Sequence, residues 1–282
     1  MSKPIVSHSE LACYRACPRK HHYAYRERLA PLVPAEALTK GTDVHKALSA
    51  SWLSNGRATL LTPDVVTSAL VAGYRQYYSP IVPANATNLR TSVAFRVELE
   101  TCILVGECDA VYTDVAGRTV VVEHKTTSSG IEPGSSYWAE KVVSNPQVAA
   151  YLLAFPGAFV LWDALRKPAF RKLREGKPNE ETDDGFYWRT LDAISKEPER
   201  YYQRANIFRT PEELDEARQD IETWANRAKY ELRTTPRNPD SCFSFGRRCE
   251  YFDLCWHGVA PDEDKSLVRK ERNHTEEVAG RV

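Results

Sequence analysis

A run of three valines at positions 120–122 ends in three ionisable residues near the middle of the chain. Consecutive β-branched residues are typical of a strand that is buried on both faces. The next residues are Glu123, His124 and Lys125, and charged groups at the end of a buried strand are costly unless they are paired or hold a metal ion. The sequence therefore predicts a buried strand with a polar site at its end.

A second strand is predicted over residues 103–112, before the strand at 119–125, with Asp114 and Gly117 supplying the turn between them. The pairing of these strands brings Asp109 beside Glu123. Two carboxylates at such a short distance repel each other unless a divalent cation lies between them. A lysine nearby can orient or deprotonate water, or stabilise charge on a phosphate. These parts predict a metal-dependent phosphodiesterase; the alternative is a surface hairpin that ends in solvated charges.

An Asp on one strand and Glu-x-Lys at the end of the next resemble the core of the PD-(D/E)XK nuclease superfamily. Two further motifs resemble its RecB-like branch, which includes AddB-like and CRISPR-associated exonucleases. One is Gly-x-x-x-His before the Asp, present here from Gly41 to His45. The other is Gln-x-x-x-Tyr after the Lys, present here from Gln147 to Tyr151.

The resemblance implies a role for each of these residues. The metal, Mg²⁺ or Mn²⁺, would be held by three side chains and one backbone carbonyl: His45, Asp109, Glu123 and the carbonyl of His124. Lys125 would act on the attacking water or stabilise the transition state. Gln147 and Tyr151 would contact the nucleic-acid strand or help to place the lysine. The reaction implied is hydrolysis of a phosphodiester bond.

Three of the seven cysteines lie within fourteen residues near the C-terminus: Cys242, Cys249 and Cys255. Such clustering suggests that they bind a soft metal, which requires a fourth ligand. The resemblance to RecB-like nucleases with a [4Fe–4S] cluster supplies Cys17, because it precedes Pro18 as their first ligand often does. Cys13 is the rival fourth ligand.

The spacing of these cysteines departs from the Cys-x-x-Cys pattern that is common in that branch, since six residues separate Cys242 from Cys249. Zinc bound by four thiolates, free thiols, and His257 as a replacement ligand therefore stay open as alternatives. Because no flavin or nicotinamide motif is visible, we expect a cluster to be structural.

The expected fold is α/β: a PD-(D/E)XK restriction-endonuclease-like core, with a mixed sheet flanked by helices, and a helical region closed by the cluster. We expect one domain over 1–260, its core at about 39–165, and a charged, loosely ordered tail at 261–282. The N-terminal helix and residues 186–260 would carry the cluster. Further helices are predicted over 138–155, 186–203 and 211–232, and a last core strand over 158–163.

The formal net charge is zero, which argues against a uniformly basic DNA-coating protein but allows a local basic groove. Six basic residues after position 165 fit either phosphate contacts or a solvated loop: Arg166, Lys167, Arg171, Lys172, Arg174 and Lys177. We expect a cytoplasmic protein, because no apolar run suits a membrane span and no signal peptide is visible.

The sequence favours an exonuclease that acts on single-stranded DNA, or on DNA with a free end, in recombination, repair or phage DNA processing. No helicase P-loop is present, so unwinding would require a helicase or recombination partner. One rival is a structure-specific or CRISPR-adaptation-like endonuclease. Another is a non-catalytic DNA-binding subunit of a recombination complex.

Overall fold

The computed structural model describes residues 2–57, 62, 64–230, 235–244 and 246–282. Its strands are β1 (Ile5–Ser7), β2 (Leu29–Pro31), β3 (Thr87–Glu98), β4 (Ile103–Thr113), β5 (Thr119–Thr127), β6 (Phe159–Arg166), β7 (Tyr202–Ile207), β8 (Phe243–Ser244), β9 (Arg247–Arg248) and β10 (Leu267–Arg269). Its α-helices are α1 (His8–Ala16), α2 (Pro18–His21), α3 (Glu36–Leu53), α4 (Val65–Tyr77), α5 (Pro146–Ala154), α6 (Asp183–Lys196), α7 (Pro211–Tyr230), α8 (Phe252–Trp256) and α9 (His274–Ala279). Two π-helical segments cover His22–Arg26 and Trp138–Val143.

The chain divides into two compact units. The first consists of Met1–Pro34, Ala94–Glu107 and Thr210–Val282, and the second of Ala35–Val93 and Cys108–Arg209. In the first unit β1 pairs in parallel with the start of β4, and β10 pairs with β2 in antiparallel fashion. No helix in the described part of the chain is both long and apolar enough to cross a membrane.

A mixed sheet forms the centre of the second unit. β5 pairs with the end of β4 in antiparallel fashion and with β6 in parallel, and β7 pairs with β6 in antiparallel fashion. Val120 and Val122 of β5 face a core that includes side chains of α3, α4 and α6. Tyr151 of α5 contacts Glu123, which points to the other face because side chains alternate along a strand. The predicted α/β fold, a mixed sheet flanked by helices, is confirmed.

Both predicted strands of the central hairpin are present, and the valines at 120–122 are 0 % exposed. Burial of each such side chain contributes about 1.5–3 kcal/mol, which explains why this stretch forms the middle of the sheet. The carboxylate of Asp114 accepts hydrogen bonds from the backbone N–H groups of Ala116 and Arg118 at 2.9 Å. The turn is thereby fixed, as its residue types predict.

Two predicted helices are different in the structure. The helix expected over 138–155 is divided, because Pro146 lacks the N–H that a continuous helix needs and instead begins α5, capped by the side chain of Asn145. The helix expected over 186–203 ends at Lys196, before Pro198, and β7 follows as a strand that the sequence analysis missed. The predicted final strand is also longer, since β6 runs to Arg166.

The C-terminal stretch from Pro261, expected to be loosely ordered, contains β10 and α9. Asn273 and Glu276 form a capping box at the start of α9, and Val278 is 1 % exposed. The polar composition of the stretch conceals these few buried positions. The last two residues of the helix predicted over 211–232 lie outside the described residues.

Candidate active site

His45 and Asp109 form the first half of the candidate site. Nδ1 of His45, on α3, lies 2.7 Å from Oδ1 of Asp109, on β4. The other oxygen of Asp109 accepts a hydrogen bond from the backbone N–H of His124 at 2.7 Å. Burial alone would raise the pKa of Asp109, but the bonds from the two histidines hold it below its ordinary value. Burial disfavours the charged form of His45, yet the bond to Asp109 raises its pKa.

Glu123 forms the second half. Its carboxylate is 3 % exposed at the end of the buried valine run of β5. One oxygen contacts Nζ of Lys125, and the other accepts a hydrogen bond from the hydroxyl of Tyr151. Burial lowers the pKa of Lys125, but the adjacent Glu123 outweighs it and raises that pKa. The lysine is therefore held as a cation beside a buried carboxylate.

Gln147 extends this chain of contacts. Its amide nitrogen donates to the hydroxyl of Tyr151 at 2.6 Å, one turn along α5. The hydroxyl therefore accepts from Gln147 and donates to Glu123, which fixes the orientation of the carboxylate. The pKa of Tyr151 is well above its ordinary value, because of burial and then of the charge on Glu123. Tyr151 consequently remains a proton donor to that carboxylate at neutral pH.

The side chain of His124 points into the core rather than toward Glu123 and Lys125, as alternation along the strand predicts. Its Nδ1 lies 3.3 Å from Oδ2 of Asp163, a carboxylate with 0 % exposure on β6. Asp163 also pairs with Arg204 of β7 at 3.1 Å and accepts from the hydroxyl of Tyr74 on α4. Burial would raise the pKa of Asp163, but Arg204 lowers it.

Sequence reasoning missed the buried group that consists of Tyr74, Asp163 and Arg204. Asp163 ends a short apolar stretch, Phe159-Val160-Leu161-Trp162, in the way that Glu123 ends the valine run, so the same signal was available. Arg204 lies on β7, a strand that the sequence did not predict and whose first two residues fall in the helix expected over 186–203. This group surrounds the side chain of His124, the residue whose backbone carbonyl is a predicted metal ligand.

The donor types fit a hard divalent cation, since carboxylate oxygens and an imidazole suit Mg²⁺ and Mn²⁺. In the structure these donors hydrogen-bond to one another or to Lys125. Over the described residues, no three Asp, Glu, His or Cys side chains are arranged as a ready set of metal ligands. The structure thus forms two chains of contacts, His45–Asp109 and Lys125–Glu123–Tyr151–Gln147. Asp109 also binds the backbone N–H of His124, the residue between Glu123 and Lys125. The roles of these residues stay a prediction.

The four predicted cluster cysteines line one small cavity in the first unit: Cys17, Cys242, Cys249 and Cys255. Cys13 is not among the residues that line this cavity in the described part of the chain. Burial raises the pKa of the Cys13 thiol to about 12. His257, the other rival ligand, lies 2.8 Å from the carboxylate of Asp253. Thiols are soft donors of the kind that iron–sulfur clusters and zinc require, but over the described residues no three of these cysteines form a ready set of metal ligands.

Residues 5–256 match the PD-(D/E)XK nuclease superfamily, and the chain belongs to that family. No curated protein sequence matches the chain. Among solved structures, a protein of Eubacterium rectale that is provisionally named an exonuclease is similar with a TM-score of 0.51 at 13 % identity, over 97 % of this chain and 92 % of that one. The structure of SSO0001 is similar with a TM-score of 0.39 at 12 % identity, over 83 % and 81 % of the two chains.

Proposed function

We propose that the protein is a metal-dependent nuclease of the RecB-like branch that hydrolyses phosphodiester bonds in DNA. One observation carries the proposal. The buried carboxylate of Glu123 lies between Lys125 and Tyr151, in the same unit as the linked pair His45–Asp109. A buried carboxylate with a cation and a phenol aimed at it is costly to build for stability alone. It suits a site in which a divalent cation and a phosphate, when they bind, take the place of these internal bonds.

The ligands of Mg²⁺ or Mn²⁺ would be His45, Asp109, Glu123 and the backbone carbonyl of His124. When bound, the cation supplies a more acidic water and neutralises charge on the phosphate. Asp109 is suited to this role because its pKa is depressed, so it is ionised at neutral pH. Its bond to the N–H of His124 fixes the peptide between Glu123 and His124.

Lys125 has the role of orienting the attacking water and stabilising the negative charge that develops on the phosphate. Because Glu123 raises its pKa, Lys125 is a cation at neutral pH, which favours charge stabilisation over proton abstraction. Tyr151 and Gln147 hold the Glu123 carboxylate in one orientation. They act as positioning residues, and their effect on the reaction passes through Glu123.

The proposal is tested with Glu123→Gln, which keeps the shape of the side chain and removes its charge. The matched control is Glu175→Gln, an exposed glutamate in the same unit. Release of label from single-stranded DNA in Mg²⁺ or Mn²⁺ should be abolished by the first substitution and unchanged by the second. Equal activity of the two variants would remove Glu123 from the mechanism.

The proposed mode is exonucleolytic, on single-stranded DNA or on a free end, in recombination, repair or phage DNA processing. The similar Eubacterium rectale protein, provisionally named an exonuclease, supports this mode. Opening of duplex DNA would be the task of a helicase or recombination partner. Circular and linear single strands of the same sequence separate the modes, because only an endonuclease cleaves the circle.

A [4Fe–4S] cluster held by Cys17, Cys242, Cys249 and Cys255 is proposed as a structural element of the first unit. The four thiols line one cavity, although Cys17 is at least 225 residues from each of the other three in sequence, and this supports the proposal. When bound, such a cluster supplies a cross-link between distant parts of the chain. Zinc is the second candidate, and iron and acid-labile sulfide analysis distinguishes the two.

A non-catalytic DNA-binding subunit is the rival from another class. It requires DNA to bind without being cleaved in any metal. The network around Glu123 argues against it, because phosphate binding alone has no need of a buried carboxylate beside Lys125. The cleavage assay with Glu123→Gln separates the rival directly.

A further inference from the structure

A polar cleft lies at the carboxyl ends of β5 and β6 in the second unit. It has a volume of about 490 Å³, within the range of binding sites for small ligands or for a segment of a polymer. Its lining includes four basic residues: Arg166, Lys167, Lys196 and Arg200. Ser128 and Phe170 also line it, and Glu197 is the acidic residue among the lining residues in the described part of the chain.

The cleft follows directly from the catalytic strand. β5 and β6 are parallel, with Lys125 opposite Ala164 and Thr127 opposite Arg166. Because side chains alternate along a strand, Arg166 lies on the same face of the sheet as Lys125, two positions further along the strands. The step from residue 125 to 127 spans about 7 Å, which is about two nucleotides of a stacked strand.

Lys167 is tied to the same strand. Its backbone N–H donates to the carbonyl of Thr127 at 2.7 Å, so the start of the loop after β6 is held against the end of β5. Within the described residues, no hydrogen bond or ion pair is recorded for the ammonium group of Lys167. An ammonium group with no carboxylate partner in the described part of the chain, at the end of β5, is available to an anionic ligand. α6, which ends at Lys196 and leads to Arg200, packs on the face of the sheet opposite Lys125. The cleft therefore lies around the end of the sheet rather than on the face of Lys125 itself.

The other three cations make surface ion pairs: Arg166 with Glu132 at 3.1 Å, Lys196 with Asp192 at 2.6 Å and Arg200 with Glu197 at 3.0 Å. Exposed pairs of this kind contribute only about 0–1 kcal/mol, so a phosphate can replace the carboxylate at small cost. These pairs therefore leave the three cations available to a phosphate.

We propose that this cleft binds the phosphate backbone of the substrate DNA strand beyond the bond that is cleaved. The carboxyl ends of parallel strands are the usual place for ligands in α/β sheets, which agrees with its position. The inference rests on the proposed nuclease function, and it assigns a strand-binding surface to residues that none of the active-site motifs contains. The backbone contacts are independent of sequence, because phosphates carry no base information.

Binding is tested without cleavage, by fluorescence anisotropy of a labelled single-stranded DNA oligonucleotide with the full chain in EDTA and in Ca²⁺. The variants are Lys167→Glu, the neutral Lys167→Gln, and Arg200→Glu. The matched control is Lys177→Glu, which makes the same change of charge on the neighbouring loop, away from the cleft lining. Thermal unfolding of each variant verifies that it is folded.

Each cleft variant should weaken DNA binding severalfold for every sequence tested, with Lys167→Glu weaker than Lys167→Gln. The slope of log affinity against log salt should fall by about 0.7 for each phosphate contact that is lost. In the cleavage assay KM should rise while kcat stays near the wild-type value. The control should bind as the wild type does.

DNA binding by the cleft and DNA cleavage are measured separately. Cleft variants that bind DNA with the affinity and salt slope of the wild type would overturn the inference, even if the wild type cleaves DNA. Equal weakening by Lys177→Glu would also overturn it, because the loop charge as a whole would then be responsible. Weakened binding by the cleft variants supports it, even if no cleavage is found. A wild-type chain that binds no DNA contradicts both proposals.

Discussion

Nδ1 of His45 lies 2.7 Å from Oδ1 of Asp109, and this bond links residues that are 64 positions apart in sequence. It joins α3 to the central hairpin of the second unit. The two groups have the donor types of a divalent-cation site, and the bond holds them together before any cation binds. A cation that binds both of them replaces this bond, so its affinity depends on each partner.

Asp109→Asn should weaken the binding of Mn²⁺ by more than the 10–100-fold that is typical when a residue behind a ligand is lost, because here a charged ligand is removed. Titration of the protein with Mn²⁺, monitored by the electron paramagnetic resonance of free Mn²⁺, measures this affinity without any substrate. Asp192→Asn, an exposed carboxylate on α6, is the control and should bind Mn²⁺ as the wild type does. Unchanged affinity in Asp109→Asn would rule out Asp109 as a ligand.

Tyr151→Phe removes the hydroxyl that links Gln147 to Glu123 and leaves the ring in place. We expect kcat to fall by about 10–100-fold, as is typical for groups that orient a metal ligand, with little change in KM for DNA. Steady-state kinetics on a labelled oligonucleotide test this. Tyr187→Phe on α6 is the control. A rise in KM at constant kcat would instead make Tyr151 a strand-binding residue.

Asp163 is predicted to stabilise the fold in a pH-dependent way. Its pKa is depressed by Arg204 in spite of burial, so the charged form is favoured in the folded state. Its contribution is therefore present above the unfolded-state pKa of about 3.9 and is lost as the pH falls through the lower folded-state pKa.

Asp163→Asn breaks the ion pair with Arg204 and should lower the free energy of unfolding at neutral pH by about 3–5 kcal/mol. Urea unfolding of the metal-free chain between pH 3 and pH 7 gives the free energy of unfolding and its dependence on pH. The loss of stability toward low pH should be smaller in the variant than in the wild type. Parallel curves for the two proteins would show that Asp163 does not contribute to the acid sensitivity.

The cysteines allow a paired prediction in the first unit. Cys17→Ser should lose bound iron, because Cys17 lines the cavity with the other three cysteines, whereas Cys13→Ser should retain it. Metal content and visible absorbance after anaerobic purification measure this. Retention of iron in Cys17→Ser with loss in Cys13→Ser would exchange the two assignments. Bound zinc instead of iron would identify the site as a zinc site and not an iron–sulfur cluster.

Much of the site could be predicted from the sequence, because the valine run and the charged residues that follow it are a local pattern. The partners of Glu123 and Asp109 were found only through the resemblance of the motifs at 41–45 and 147–151, since a lone helical His or Tyr carries no such signal. The proline at 146 was sufficient to predict the break in the helix, but the hydrophobic periodicity obscured it.

The group around Asp163 shows what a sequence pattern leaves out. Arg204 lies on β7, and the strand state of β7 depends on its pairing with β6 rather than on local propensity. The ion pair joins residues 41 positions apart on neighbouring strands, so neither residue alone signals the other. The cleft lined by Lys167 and Arg200 escapes sequence-based prediction for the same reason, because β6 and the end of α6 meet only in the folded unit.

We propose that the Glu123–Lys125 pair belongs to a centre that hydrolyses DNA. It is tested most directly by degradation of 5′- and 3′-labelled single-stranded DNA in Mg²⁺, Mn²⁺ or EDTA, by the wild type and by Lys125→Ala. We expect metal-dependent loss of label by the wild type and none by Lys125→Ala, which should still bind the DNA. DNA that stays intact with the wild type in both metals, although it is bound, would rule out the nuclease and favour a DNA-binding subunit.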